Sequence, residues 1–452
     1  MQDIYRHIEE HFADSLVQLH DFCKLPSVSA QNQAILETAE HTASLLQALG
    51  FEAQILEKPG GQPVVYASQA GQCARTLMFY GHYDVQPAEP LELWSHPPFQ
   101  ATFLGEKVYG RGVSDNKGNI IARLAAIRAW RETRGALPCG VKFCLEGDEE
   151  IGSPHMDEFV AQHRDLLGAD ACLWEGGGVN WHGQPEIYLG VKGLLYVELE
   201  SETISRDAHS SWATTLPSAA WRLVWALSTI KDSDEKVQIE GFYDDVRPPT
   251  AAEEAVIIAI PTDEEATLGS YGIDRFLCNV RGEAFHRRHL LEPTASIDGL
   301  ISGYTGEGPK TVLPARAKAK MDFRLVPDQD PEAILAKLRG HLQSRGFGDI
   351  SVRALTSEHP ARTPPDHPFV EVVKAAARDI YAKEPVVIPT MAGTGPLHPF
   401  IETLGLPTAD CGVGYPDNWI HAPNENIRVE DFRLGIKAIA NLLQKFSDGP
   451  DF

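Results

Sequence analysis

The stretch Arg75-Thr-Leu-Met-Phe-Tyr-Gly-His-Tyr-Asp84 decides the fold class. Residues 77–80 are apolar at every position rather than at alternate ones, which is the pattern of a strand covered on both faces. Comparable strand-like runs occur at 63–68, 141–145, 169–174 and 408–413, with helical patterns between several of them, notably over 119–133. Strands alternating with helices predict an α/β layer built on a mostly parallel sheet. Ahead of this layer, residues 3–24 and 32–49 read as amphipathic helices, the second stopped at Gly50.

From about residue 190 to 360 the rhythm changes. Strand patterns at 191–200, 295–304, 317–325 and 349–355 and helical patterns at 216–230 and 331–345 follow the order βαββαβ, a ferredoxin-like split motif. The expected organisation is one α/β domain in two parts, 1–189 and 361–452, with the ferredoxin-like domain 190–360 inserted between them. A charged, Pro-containing segment, 232–290, elaborates the insert. A chain of 452 residues is long enough for two cores.

Composition narrows the function classes. With 40 Lys and Arg against 63 Asp and Glu, the net charge is −23, and such a surface repels phosphate backbones, so nucleic acid is not an expected partner. The longest apolar stretch, Ala255 to Ile260, is far too short to span a bilayer, and residues 1–10 lack the basic and apolar regions of a signal peptide. Seven cysteines without a Cys-x-x-Cys pair suit a reducing cytoplasm and no structural zinc cluster.

In open α/β sheets, ligands bind beyond the carboxyl ends of the strands. His82 and Asp84 follow the run ending at Tyr80, Glu149 and Glu150 follow the run ending at Leu145, Glu175 directly follows Trp174, and His421 lies in the loop after 408–413. Asp115 enters a helix from Gly110-Arg-Gly-Val-Ser-Asp-Asn-Lys-Gly118. A purely nitrogen and oxygen donor set of this kind suits two divalent ions, Zn²⁺ with Mn²⁺ or Co²⁺ as alternatives. Asp115 is the candidate bridge between them. Glu149 suits the general base and Asp84 can orient the His82 imidazole. A Glu-Glu pair alone is usually a surface feature, and His11, His20 and His163 read as solvent-facing. The joint order of Gly-His-x-Asp-Val-x-Pro, Gly-Arg-Gly-x-Ser-Asp-x-Lys-Gly and Glu-Glu-x-Gly-Ser is far more specific. A dinucleotide loop, a Gly-x-Ser-x-Gly elbow and a phosphate-binding loop are all missing.

At these motifs the chain resembles the dinuclear zinc metallopeptidases that include carnosine dipeptidases, aminoacylases and glutamate carboxypeptidases. The resemblance runs over nearly the whole length and is nearest to the dipeptidase branch. It implies that one metal takes His82 and Glu175, the other Glu150 and His421, with Asp115 bridging and Glu149 as base; the Asp115–Asn116 peptide is commonly cis in the family. It also implies that the inserted domain is a lid that mediates homodimerisation, and that His209, in Asp207-Ala-His-Ser210, reaches the partner's site to stabilise the oxyanion. The residues after it, Ser211-Trp-Ala-Thr-Thr215, depart from the glycines common there. Gly308-Pro-Lys-Thr-Val-Leu-Pro314 and Met321-Asp-Phe-Arg-Leu-Val-Pro327 match the dipeptidase branch, which implies Arg324 and Thr311 on the substrate carboxylate. Gly393-Thr-Gly-Pro396 is similar to the loop whose hydroxyl and amides hold the same group, here Thr394 and Gly395. The expected activity is hydrolysis of dipeptide or short-peptide amide bonds by a metal-bridging hydroxide. The rivals are an N-acyl-amino-acid deacylase or carboxypeptidase, and a non-catalytic protein that kept the fold.

Overall fold

In the computed structural model, which describes residues 1–449, five strands of the main sheet lie before residue 175: β1 (Glu52–Leu56), β2 (Val64–Gln69), β3 (Thr76–His82), β4 (Gly140–Glu146) and β5 (Ala171–Trp174). Four more form a separate sheet: β6 (Gly193–Glu202), β7 (Thr294–Ser302), β8 (Arg316–Leu325) and β9 (Ser351–Glu358). Later in the chain, β10 (Thr408–Asp410) returns to the first sheet, whose order is β1-β2-β4-β3-β5-β10. Strands β4, β3, β5 and β10 run parallel, whereas β2 is antiparallel to both β1 and β4. The carboxyl ends of four strands therefore emerge on one edge, at His82, Glu146, Trp174 and Asp410.

The apolar run that opened the sequence reading is buried from both sides. Leu77 and Phe79 join a core with Ile120, Leu124 and Ile127 of the helix Lys117–Arg134 and Ile436 and Leu443 of the helix Val429–Asp448. Met78 and Tyr80 point to the opposite core, with Met156, Phe159, Trp174 and Phe400. Alternate side chains thus enter two different cores, which is why no position in the run can be polar.

The second sheet has the order β7-β8-β6-β9, antiparallel throughout. With the helices Ala219–Ile230 and Pro331–Ser344 it realises the expected βαββαβ order. The helices cover one face, where Leu195, Val197 and Leu199 of β6 meet Leu223, Leu227, Ile334 and Leu338. Segment 232–290 carries three helices, Ala251–Ala259, Glu264–Tyr271 and Glu283–Leu291. Glu253, 2% exposed, ion-pairs with Arg247 and with Arg362, fastening this segment to the return of the chain toward the first sheet.

Two expectations change in detail. Residues 3–24 form two helices, Gln2–Glu10 and Phe12–Cys23, interrupted at His11, where φ is −108° and ψ 15°. The apolar spacing stays in phase across the break, so periodicity does not register it. Strand β1 was not expected because its residues are mostly exposed at the sheet edge and carry no buried-strand pattern. No helix among the described residues is long and apolar enough to cross a membrane.

One contact sets how closely the helix Lys117–Arg134 approaches the site. A Cβ placed on Gly118 would lie 1.9 Å from the Val113 carbonyl oxygen. Gly118→Ala is therefore expected to destabilise the fold by about 3 kcal/mol through overpacking, read as a lower urea midpoint with an unchanged m-value.

Candidate metal centre and active site

The parallel strand ends deliver their polar residues to one place. His82, the last residue of β3, is fully buried, and its Nε2 lies 3.0 Å from Asp115 Oδ1, 3.7 Å from Glu175 Oε2 and 3.9 Å from Glu149 Oε2. The other Asp115 oxygen, Oδ2, is 3.1 Å from His421 Nε2, which is itself 3.0 Å from Glu150 Oε2. Asp115 thus stands between two half-sites, His82 with Glu175 and His421 with Glu150, turning one oxygen to each. The Asp115–Asn116 peptide is cis. Asn116 donates through Nδ2 to the Glu175 carbonyl at 3.0 Å.

Asp84 does more than the sequence suggested. The His82 Nδ1 lies 3.1 Å from the Asp84 carbonyl and 3.4 Å from its Oδ1. The carboxylate also accepts the backbone N–H of Glu149 at 3.2 Å and of Glu150 at 3.1 Å. One buried carboxylate therefore orients the imidazole and clamps the turn Glu149–Ile151 that aims the two glutamates.

Burial and like charge dominate the electrostatics of this cluster. Burial pushes Glu175 up to about 8, with Asp115 and Glu150 reinforcing the shift and His82 opposing it. Burial, then Glu175, lifts Glu149 well above the ordinary carboxylate range. Hydrogen bonds donated to the Asp115 and Glu150 carboxylates raise His421 to about 10. Burial works against charge on His82, yet Glu175, Asp115 and Asp84 hold its pKa well above that of a free imidazole. Asp115 is held well below the usual range because its bonds to His421 and His82 outweigh burial. Glu150 Oε1 and Glu175 Oε2 are buried and have no hydrogen-bond partner among the described residues. Four carboxylates around two imidazoles, two of them with an orphaned oxygen, form a donor set that calls for cations. His82, Asp115 and Glu150 each offer a ligand atom within 4.8 Å of one another, close enough for a cluster of metal ligands.

Two supports were invisible in the sequence. Glu425, 0% exposed, accepts from Gly112, Ser114 and Asp115 N–H at 3.0, 2.9 and 3.0 Å and pairs with Arg111 at 2.8 Å. It shapes the loop that presents Asp115. The only signal in the chain was an acidic residue four positions after His421. Behind the Glu149–Glu150 turn, buried Lys58 lies 2.8 Å from Glu146 and 2.5 Å from Asp148, while Glu146 accepts from Tyr80 and Ser153.

The remaining predicted residues fall into two groups. Arg324 on β8 donates to Thr394 Oγ1 at 2.7 Å. The neighbouring Gly395 is so close to Glu149 that a Cβ there would be 3.9 Å from its Oε1. Loop 393–396 therefore connects Arg324 with the glutamate turn. His209 and Thr311 form a pair of their own: His209 Nε2 lies 3.2 Å from Thr311 Oγ1, and its Nδ1 lies 2.9 Å from Ser211 Oγ. This pair is exposed on the second sheet's side of the molecule, and within this chain its hydrogen bonds do not reach the Asp115 cluster.

Replacing Glu425 by Gln removes the charge that faces Arg111 and three amides. The variant is expected to lose about 2–3 kcal/mol of stability, measured by chemical denaturation, and to bind added divalent metal more weakly in calorimetric titration.

The same architecture recurs among known proteins. Human Beta-Ala-His dipeptidase is 28% identical over 97% of this chain and 91% of its own length. The Cys-Gly metallodipeptidase of Schizosaccharomyces pombe is 25% identical over 99% of this chain and 98% of its own. A metallo-carboxypeptidase structure from Sulfolobus solfataricus superposes with a TM-score of 0.92 at 39% identity, covering 96% of this chain and 99% of that one. The model of peptidase family M20/M25/M40 matches residues 78–445, spanning the His82, Asp115, Glu149–Glu150, Glu175 and His421 segments, and the chain belongs to that family of peptide-bond hydrolases.

Proposed function

We propose that this chain is a two-metal dipeptidase with zinc, or alternatively manganese or cobalt, as its ion. The observation that carries the reading is Asp115 with one oxygen toward each of two half-sites whose glutamates keep orphaned oxygens. In this reading His82 and Glu175 hold one ion, Glu150 and His421 the other, and Asp115 both. Bound there, the ions supply Lewis acidity toward the scissile carbonyl and lower the pKa of the attacking water. Glu149 accepts the water's proton and returns it to the leaving amine. Arg324, Thr394 and the backbone at Gly395 hold the substrate's carboxylate, and Thr311, paired with His209, joins them from the partner subunit.

The division into 1–189, 190–360 and 361–452 belongs to the same reading, as does a homodimer through the inserted domain. In the helix Ala219–Ile230, Trp221 and Trp225 stack at 5.7 Å yet are 58% and 54% exposed. Ile297, Leu300 and Ile301 of β7 are also exposed. Apolar surface of this extent is rarely left to water. His209 would then serve the partner's site as oxyanion donor. Seven free cysteines support a cytoplasmic setting. The second reading, a carboxypeptidase or deacylase on N-blocked substrates, is favoured by the similarity to the Sulfolobus carboxypeptidase.

A metal-supplemented screen of dipeptides against their N-acetylated forms separates the two readings. Hydrolysis of neither, with no metal bound, removes both. Glu149→Gln is expected to lower kcat by about 10²–10⁴-fold while metal content, measured by mass spectrometry, stays at the wild-type value. Changing Trp221 and Trp225 together to Glu should convert the dimer to a folded monomer by light scattering. Activity should fall with dissociation. A monomer with full activity would remove the role of His209 in trans.

A further inference from the structure

Strand register sets a second charge opposite Arg324. On β6, Leu194 is the direct partner of Arg324 on β8 and also of Glu358 on β9. Directly paired residues project from the same face of a sheet, so Arg324, Leu194 and Glu358 form one row. The face is the one turned away from the Leu195–Val197 core, at the end of β6 where the chain enters from the first domain. Cation and anion in this row are two interstrand spacings apart, about 10 Å backbone to backbone.

The surroundings of Glu358 differ from those of a surface glutamate. Its Oε2 is buried and has no hydrogen-bond partner among the described residues. A Cβ on Gly152 would lie 3.7 Å from its Oε1, and Gly152 closes the turn that carries Glu149 and Glu150. Glu358 lines a cavity of about 450 Å³ together with Ile151, Gly152, His359 and Gly395. Gly395 is the residue whose Cβ position neighbours Glu149 Oε1, and the adjacent Thr394 holds Arg324. The cavity therefore reaches Gly395, between Glu149 and the Arg324 contact in the same loop. Burial pushes the Glu358 carboxyl up to about 7, with Glu146 adding to the effect and Arg324 opposing it. A carboxylate with one oxygen buried and unpartnered is costly unless a cation arrives.

We propose that Glu358 receives the free α-ammonium group of the substrate's N-terminal residue, so that Arg324 and Glu358 bracket the two charged ends of a dipeptide. An extended dipeptide spans roughly 7 Å, which leaves room for one ion contact at each end of the row. The amide between the two ends then falls beside Glu149. A blocked amine presents no cation to Glu358 and leaves its carboxylate desolvated and unpaired. Selection for a free amine therefore comes mainly from a penalty on the wrong substrate. The assignment rests on the dipeptidase reading and deepens it.

The test compares Ala-Leu, N-acetyl-Ala-Leu and Lys-Leu as substrates of the metal-loaded wild type and Glu358→Gln. The wild type is expected to prefer Ala-Leu over its acetylated form, and the variant to lose about 10- to 100-fold of that ratio in kcat/KM, the worth of a hydrogen bond to a charged group. A purely structural role would lower both substrates together and leave the ratio unchanged, which overturns the proposal. A fall confined to the Lys-Leu over Ala-Leu ratio also overturns it, assigning Glu358 to a basic side chain. Glu358→Gln is nearly isosteric and removes an unpaired buried charge, so its thermal midpoint should equal or exceed that of the wild type. If Gln is not tolerated, Glu358→Ala with the same three substrates gives the same ratios. A wild type that cleaves only acetylated substrates defeats the dipeptidase reading itself. A wild type that cleaves Ala-Leu, with an amine preference untouched by the substitution, defeats only the role of Glu358.

Discussion

Crowding Asp115, Glu149, Glu150 and Glu175 around two imidazoles is the constraint on which the rest of this structure depends. Like charges this close raise one another's pKa, and burial magnifies the effect. The surrounding fold is organised to hold them together nonetheless. Asp84 clamps the glutamate turn through two amides, Glu425 grips the Asp115 loop through three, and Lys58 ion-pairs with both Glu146 and Asp148 beneath. None of these supports faces the substrate region as a reacting group. Their work is to keep an arrangement that would otherwise relax by moving its carboxylates apart, ready for cations that relieve it.

The parallel part of the first sheet explains how residues from four distant segments can meet. Parallel strands end on the same edge, so the residue after each strand is delivered to that edge whatever the sequence separation. The inserted sheet adds a different kind of control. It contributes no residue to the Asp115 cluster within this chain, but through Arg324 and Thr394 it is tied to the loop that runs beside Glu149. In the proposed reading, binding of a substrate's charged ends and positioning of its amide fall to separate layers that meet at loop 393–396.

Much of this was legible in the chain because the signals are local. The doubly apolar run at 77–80 announced a strand buried on both faces, and the tight motifs around His82, Asp115 and Glu149 named the polar edge. The βαββαβ order of the insert followed from periodicity alone, and its strands and helices lie within a few residues of the expected positions. Less was legible where the signal is not periodic. The break at His11 keeps the helical phase, and β1 at the sheet edge has no buried pattern to read. Glu425 looks like any loop glutamate until three amides and a guanidinium are seen to converge on it.

The sequence by itself determined which polar residues gather at the edge of the first sheet and on which kind of layer they sit, because short motifs and side-chain periodicity are properties of neighbouring residues. Only the tertiary structure decided the pairings: Asp115 turned to both imidazoles, Asp84 shared between His82 and the glutamate turn, and Glu358 aligned with Arg324 across β6. Register and strand order are long-range choices, made by the burial of whole faces rather than by any segment alone. A charge's partner, and so its pKa and its use, is settled at that level.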